Sequence, residues 1–337
     1  MTSTNRVRPE TTGQDTAERD RSQQPTETAS NTVPRVALDA LTAAEFAQHY
    51  QRPGKPVIVT GLLAGESEWD LDYLSQQFGS RDVLARFYGR DRYQQDKREW
   101  TNIGSGVGLR SVPFDRYAEM LRDGTAREQD VYLAKHSLNE TPLANPAVLQ
   151  RLETALGLTK AATGWNLWAG PGGHLECLHY DPMDGTLIQM HGEKKVLLFP
   201  PSQTYNLYPF PVYAHFRHGL NLRCWFSQVY PEQPDFDAFP KLREALQHKQ
   251  EIILRPGELL YIPAGWWHEV TALGEGLVCS VNRFWGVTPL MRSLTCWSKW
   301  RAYSGSACAI PYTLGRLAMA LFSPNRKQQI SKILHQI

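Results

Sequence analysis

The sequence predicts an α+β, mainly β protein: a β-sandwich or barrel core with helices before and after it. Three observations carry this. Residues 161–286 hold short apolar runs, rich in β-branched and aromatic residues and separated by Gly, Pro and Asn, which is the pattern of many short strands. Residues 35–160 mix helical and strand-like segments, and beyond Trp285 the apolar residues return to helical spacing. The composition, 42% hydrophobic and 11% aromatic over 337 residues with a net charge of +2, supplies a large core. It excludes a collagen, a coiled coil and a wholly disordered chain, and it gives no strong pull toward nucleic acid or membrane.

Residues 1–34 contain no Leu, Ile, Phe, Tyr or Trp. They cannot bury enough apolar surface to offset their ordering entropy, so a disordered polar tail is expected. Thr42 and Glu45 have the spacing of a capping box, and a helix through Tyr50 follows. Pro53-Gly-Lys-Pro56 breaks the chain before the buried strand Val57-Ile-Val-Thr60. Helices are expected over 71–78, ended by Gly79, over 113–122 and over 142–157. Residues 81–110 mix strand-like and charged segments. Thr186-Leu-Ile-Gln-Met190 and Lys194-Lys-Val-Leu-Leu-Phe199, joined by His191-Gly-Glu193, read as a hairpin. Pro256-Gly-Glu258 is a turn that leads into the strand Leu259-Leu-Tyr-Ile262. Helices return over 291–300, 314–322 and 328–337, and there is no internal repeat.

The five cysteines (Cys177, Cys224, Cys279, Cys296 and Cys308) are scattered and form no C-x-x-C pair, so neither a zinc ribbon nor a dithiol motif is present. The first residues lack the apolar run of a secretory signal, and the longest uncharged stretch, 302–315, is too short for a span. An intracellular, cytoplasmic protein with reduced thiols and no membrane partner is expected.

The candidate chemistry lies in two segments. His179-Tyr-Asp181 puts an imidazole and a carboxylate two residues apart, on one face of a strand. Trp266-Trp-His268 follows the strand that ends at Ile262 and supplies a second imidazole. Two histidines and one carboxylate on one face of a metal leave positions open, the facial arrangement of non-haem Fe(II) oxygenases. The open positions suit a 2-oxo acid and dioxygen. A 2-oxo dicarboxylate also needs a cation for its far end, and Lys194 shares a strand face with Val196 and Leu198. Alternation alone leaves open whether Lys194 or Lys195 points inward. His136, His174, His191, His215 and His218 read as surface or hydrogen-bonded histidines.

These segments together resemble the JmjC-domain hydroxylases of the cupin-like group, which includes factor inhibiting hypoxia-inducible factor. The likeness runs over about 40–286. It is carried by Gly170-Pro-Gly-Gly-His174, His179-Tyr-Asp181, Gln189-Met-His-Gly-Glu-Lys-Lys-Val-Leu-Leu-Phe-Pro-Pro201, Leu207-Tyr-Pro209, Pro256-Gly-Glu-Leu-Leu-Tyr-Ile-Pro263, Trp266-Trp-His268 and Val281-Asn282. Lys55-Pro-Val-Ile58 and Val131-Tyr-Leu133 add to it. The resemblance implies a double-stranded β-helix (jelly-roll, cupin) core over 161–286. Residues 35–160 would be its N-terminal elaboration and 287–337 a C-terminal helical region. It implies Fe(II) held by His179, Asp181 and His268, with 2-oxoglutarate held at its distal carboxylate by Lys194 and Tyr132 and with Asn282 near its metal-proximal carboxylate. It implies hydroxylation of a protein or peptide side chain with decarboxylation of 2-oxoglutarate to succinate. In resembling enzymes the C-terminal helices often form a homodimer, and packing back on the same barrel stands equally beside that reading.

Two positions depart from the family pattern. Relatives place Thr or Ser where this chain has Glu176, and many place Asn where it has Gly185. A carboxylate at 176 would repel a dicarboxylate unless it is paired or turned away. A small-molecule hydroxylase and a binding module with a vestigial site therefore stand beside the leading reading. Trp168, Phe199, Tyr261 and Trp267 are candidates for a hydrophobic shell that limits solvent access, although ordinary barrel core is the favoured reading of each. The stretch 86–100 mixes Arg and Lys with aromatics but is interrupted by Asp91, Asp96 and Glu99, so it reads as a solvated face and no nucleic-acid partner is expected.

Overall fold

The computed structural model describes residues 32–63, 66, 68–103 and 108–334. Strands buried on both faces must be covered on both sides. Here two sheets cover each other. In chain order the strands are β1 (Arg35–Ala37), β2 (Val57–Thr60), β3 (Asp82–Phe87), β4 (Leu109–Pro113), β5 (Val131–Ser137), β6 (Asn166–Pro171) and β7 (Leu175–Tyr180). They continue with β8 (Asp184–His191), β9 (Lys194–Phe199), β10 (Gln250–Leu254), β11 (Leu259–Ile262), β12 (Trp267–Ala272) and β13 (Leu277–Trp285). One sheet runs β1-β2-β11-β8-β13-β6-β5-β3-β4 and the other β10-β9-β12-β7. From β6 to β9, and again from β10 to β13, each strand lies in the sheet opposite its predecessor. That winding is the double-stranded β-helix. The segments before β6 extend the larger sheet at both edges, with β2 against β11 and β5 against β6.

The expected hairpin over 186–199 is corrected by this topology. β8 pairs with β11 and β13, whereas β9 pairs with β10 and β12. The His191-Gly-Glu193 connection is a crossing between sheets. Gly192 has φ 65°, and a Cβ there would sit 2.9 Å from the Leu277 carbonyl oxygen, so glycine is required. Both strands are largely buried on both faces, and alternation cannot name the partner of such a strand.

The helices follow their caps. The Thr42–Glu45 capping box forms, and α1 (Ala43–Phe46) runs on as a wider helical turn to Gln51. The Asp70 side chain caps α2 (Leu71–Phe78), and Gly79 ends it at φ 55°. Next come α3 (Phe114–Arg122), α4 (Thr125–Glu128), α5 (Ala147–Ala155), α6 (His215–His218) and α7 (Leu242–Gln247). The helix expected over 142–157 is thus shorter, since its first residues form turns before Pro146. The helix expected over 291–300 is two, α8 (Leu290–Thr295) and α9 (Trp297–Cys308), because Cys296 is extended at ψ 93°. α10 (Ile310–Leu321) starts earlier than expected, with Pro311 in its first turn, and α11 (Arg326–Leu334) follows.

The tail expected over 1–34 lies outside the described residues as far as 31. Residues 32–34 are packed: Val33 is buried, and Pro34 accepts a hydrogen bond from the Ile58 amide at 2.9 Å. The 86–100 stretch is not a solvated face throughout. Lys97 is buried, donates to the Val229 carbonyl at 2.7 Å and lies 3.8 Å from the Tyr230 ring centre. Arg92 covers Trp100 at 4.3 Å. The five cysteines are free, and among the described residues no helix is long and apolar enough to cross a membrane.

Asp184 anchors the C-terminal helices to the barrel. It is fully buried at the start of β8, accepts from the Ala264 amide at 2.9 Å and pairs with Arg292 of α8. Burial pushes its carboxyl up, and Arg292 works against that push. Removing one partner of a buried pair strands the other charge, at a cost of about 3–5 kcal/mol. Asp184→Ala is therefore expected to lower stability by about that amount. A urea titration reads it as a lower midpoint, and a loss below about 1 kcal/mol would contradict the anchoring role.

Candidate metal centre and cosubstrate pocket

His179 is the penultimate residue of β7, and Asp181 follows the strand's end. β12 runs antiparallel to β7 with His268 directly opposite His179 and Trp267 opposite Tyr180. Directly opposed side chains on one sheet face meet, and the two imidazole centres are 4.2 Å apart. Asp181 Oδ2 lies 3.5 Å from His268 Nε2, and one ligand atom from each of the three residues falls within 4.8 Å of the others.

Both rings are oriented from behind. His179 Nδ1 lies 2.8 Å from the Cys177 carbonyl, and His268 Nδ1 lies 3.1 Å from the Trp266 carbonyl. A carbonyl only accepts, so each Nδ1 carries the proton and each Nε2 offers a lone pair. Burial, with His179 adding to it, pushes His268 well below its usual range and keeps it neutral. Burial also pushes the Asp181 carboxyl up, against His179 and Lys135. Two imidazoles that each turn Nε2 away from a carbonyl-held Nδ1, with a carboxylate beside them, are a donor set that fits a divalent metal. Phe226 stacks on His179 at 4.7 Å and covers one side of the centre.

The triad lines a cavity of about 260 Å³. Lys194, Tyr132, Asn282 and Trp168 line it as well. Lys194 points inward, 3% exposed, and donates to Ser280 Oγ at 2.5 Å. Lys195 points outward to Glu232. This settles which lysine faces the core. Among the described residues Lys194 forms no ion pair, and burial pulls its ammonium down to about 8, with Cys279 and Glu176 opposing. A buried ammonium without a counter-ion fits an incoming carboxylate. Asn282 Oδ1 accepts from Trp168 Nε1 at 2.8 Å. The Tyr132 ring lies so close to β6 that a Cβ on Gly170 would fall 2.1 Å from its Cδ2.

Of the four shell candidates only Trp168 lines the cavity. Phe199 and Trp267 belong to the core beside β7 and β9, and Tyr261 packs on Phe46 in the larger core. The walls are instead Tyr88, Trp225, Phe226 and Phe284, whose positions carry no local motif. Glu176 and Gly185 both line the cavity. A Cβ at Gly185 would meet Phe284 only at 3.6 Å, so the glycine leaves room there. Also missed were His174, which is buried in this wall, and three cations, Arg86, Lys135 and Arg223.

The lowered Lys194 sets a pH dependence. An anion needs the ammonium, which is mostly present below about 8 and is lost as pH rises through that value. The affinity for 2-oxoglutarate is therefore expected to be flat below about pH 8 and to fall about tenfold per pH unit above it. Anaerobic titration of the Fe(II) protein at several pH values measures this, and Lys194→Ala should weaken binding at least 100-fold at neutral pH, as about 3 kcal/mol is lost with a charged hydrogen bond.

Residues 43–290 match the cupin-like domain family. The chain is 30% identical to lysine-specific demethylase 8 of Xenopus tropicalis over 258 residues, 75% of this chain and 52% of that protein. It is 27% identical to lysine-specific demethylase JMJ31 of Arabidopsis thaliana over 281 residues, 73% of this chain and 49% of that protein. It is 27% identical to tRNA wybutosine-synthesizing protein 5 of Mus musculus over 285 residues, 77% of this chain and 80% of that protein. The chain thus spans about half the length of the two demethylases. Fe(II) and 2-oxoglutarate are the metal and cosubstrate of the JmjC cupin proteins, and the donor set described above fits both. With a winding, a triad and a sequence match that agree, the chain belongs to the JmjC group of the cupin-like domain family.

Proposed function

We propose that this protein is an Fe(II)- and 2-oxoglutarate-dependent oxygenase that hydroxylates a protein or peptide side chain. The observation that carries the reading is the His179–Asp181–His268 cluster sharing one cavity with the buried, anion-seeking Lys194. When bound, iron and 2-oxoglutarate supply oxidising power: dioxygen is consumed, the 2-oxo acid becomes succinate and carbon dioxide, and one oxygen atom enters a substrate C–H bond. The protein's part is positioning. His179, Asp181 and His268 would hold the metal. Lys194 and Tyr132 orient the distal carboxylate, and Asn282 sits beside the proximal end. Trp225, Phe226 and Phe284 keep bulk water from the reacting atoms.

The cavity, about 260 Å³, is at the small end of ligand pockets, which run about 300–1,000 Å³. With the cosubstrate in place it suits one side chain reaching in, which favours a peptide over a bulky free metabolite. Its charge favours one kind of peptide. Arg86, Lys135 and Arg223 stand on the wall with Glu176, and Asp181 would serve the metal, so cations outnumber the remaining carboxylate. A segment carrying carboxylates suits this wall better than the cationic methylated lysine that the demethylase names of two relatives point to. The homodimer reading rests on α8, α9 and α10, which leave Leu290, Trp297 and Leu321 at 71%, 58% and 61% exposure. Light scattering is expected to give twice the chain mass.

The test is succinate formation with peptide libraries. Acidic peptides are expected to stimulate turnover, and His179→Ala to abolish it. Arg223→Ala is expected to raise the peptide KM about tenfold, the loss of one charged contact. Stimulation by free metabolites alone would move the substrate to a small molecule, and no turnover in a protein that binds iron would point to a binding module.

A further inference from the structure

His174 follows the Gly172-Gly173 turn between β6 and β7 and is 2% exposed. Its Nδ1 lies 2.8 Å from Asp130 Oδ1, and Asp130 Oδ2 accepts from the Tyr93 hydroxyl at 2.7 Å. Burial works against the Asp130 carboxylate, but His174 and Tyr93 hold its carboxyl below the usual range. The carboxylate accepts, so His174 Nδ1 carries a proton. The other nitrogen, Nε2, is buried and has no hydrogen-bond partner among the described residues. Buried polar atoms are seldom left so unless something completes them.

The ring's surroundings say what would complete it. It stacks on Tyr132 at 3.8 Å and 11°, and it lines the cavity that Lys194 enters. The His174 carbonyl accepts from the Ala272 amide at 2.9 Å, and Ala272 is the residue opposite Lys194 in the β12–β9 pair. His174 and Lys194 therefore flank Ala272 from its two sides, with backbones about two strand spacings, roughly 10 Å, apart. The alanine methyl between them leaves room for a small anion.

We propose that His174, held by Asp130, is a second donor to the distal carboxylate of 2-oxoglutarate, facing Lys194 across Ala272. The proposal rests on the cosubstrate assignment above. In its imidazolium form the ring donates Nε2–H to the carboxylate, with Asp130 as counter-ion. It does at this wall what a hydroxyl at position 176 cannot do here, and its charge offsets that of Glu176. His174 acts on binding and orientation of the cosubstrate and not on metal ligation.

The test uses anaerobic titrations of the full-length Fe(II) protein, read by the visible metal-to-ligand band. His174→Phe keeps a ring against Tyr132 and removes the donor. It is expected to weaken 2-oxoglutarate binding about 10- to 100-fold, the range for a charge-assisted hydrogen bond. Its affinities for Fe(II) and for 2-oxobutanoate, which lacks the distal carboxylate, should stay within twofold of wild type. His174→Gln, which keeps an N–H donor, should recover most of the affinity and serves as the test if His174→Phe does not fold, its binding then expected to stay within tenfold of wild type. Unchanged 2-oxoglutarate affinity in His174→Phe, or an equal loss for both 2-oxo acids, overturns the proposal. So does a loss in His174→Gln of more than 100-fold. A wild type that binds Fe(II) but gives no band with 2-oxoglutarate overturns the cosubstrate assignment, and the proposal with it, before any variant is made.

Discussion

The register between β7 and β12 is the constraint on which the centre depends. His179 and His268 meet because they are directly opposed in that antiparallel pair. A slip of one residue would turn every side chain to the other face and leave the two rings on opposite sides of the sheet. The register is held from several directions. Trp267, buried opposite Tyr180, donates from Nε1 to Thr204 Oγ1 at 3.1 Å. Glu269 accepts from the Leu178 amide at 3.2 Å, and β9 pairs along the whole of β12 on its other side. Just past the ligand a bulge shifts the pairing between His268 and Val270. The shift leaves the metal-binding pair in register and re-aims the strand beyond it, toward Ala272 and the far end of the pocket.

Around this pair the barrel interior collects groups that are costly to bury alone. Lys194 has only a hydroxyl beside it, Asp181 is pushed up by burial, and His174 keeps one nitrogen unpaired. Each of these burdens would be relieved by a ligand of opposite character: the proposed anion for Lys194 and His174, a cation for Asp181. The fold tolerates them because its large cores are built elsewhere, from the aromatics around Phe46 and Tyr261 and from those around Trp267. Stability and chemistry are thus assigned to different layers of the same strands. In β9, Val196 and Leu198 share Lys194's face, yet they pack into apolar core while Lys194 faces the cavity.

How much of this can be read in the sequence depends on how local each signal is. The His179–Asp181 spacing and the Thr42–Glu45 cap are properties of four residues or fewer, and the structure forms both. The choice between Lys194 and Lys195 needs only the direction of one strand, but alternation supplies two answers, and burial in the folded chain supplies one. The hairpin failed because pairing is non-local: β8 and β9 adjoin in sequence while belonging to different sheets. His174 was unreadable for the same reason. What sets it apart from an ordinary histidine is Asp130, which is 44 residues upstream, and an aromatic partner, Tyr132, on another strand. The aromatics Phe199, Tyr261 and Trp267 lie in the core that the sequence favours for them, while Trp168 lines the cavity, and sequence could not separate the two because both faces of their strands are buried.

The N-terminal elaboration completes the site. β5 bulges between Leu133 and His136, and Lys135 at that bulge has φ 56°, a conformation that a lysine adopts only when its surroundings impose it. β3 pairs with β5 so that Arg86 lies opposite Tyr132, and both line the cavity. Asp130, at φ 47°, is the residue before β5 and reaches back to His174. One short stretch from 130 to 135 therefore touches both ends of the pocket. The barrel strands β7 and β12 carry the His179–Asp181–His268 cluster, β9 carries Lys194, and β3 and β5 add Arg86, Tyr132 and Lys135 to the same cavity. Arg86 and Lys135 stand outside the β7–β12 pair, so their charge can change without disturbing the register that brings His179 and His268 together.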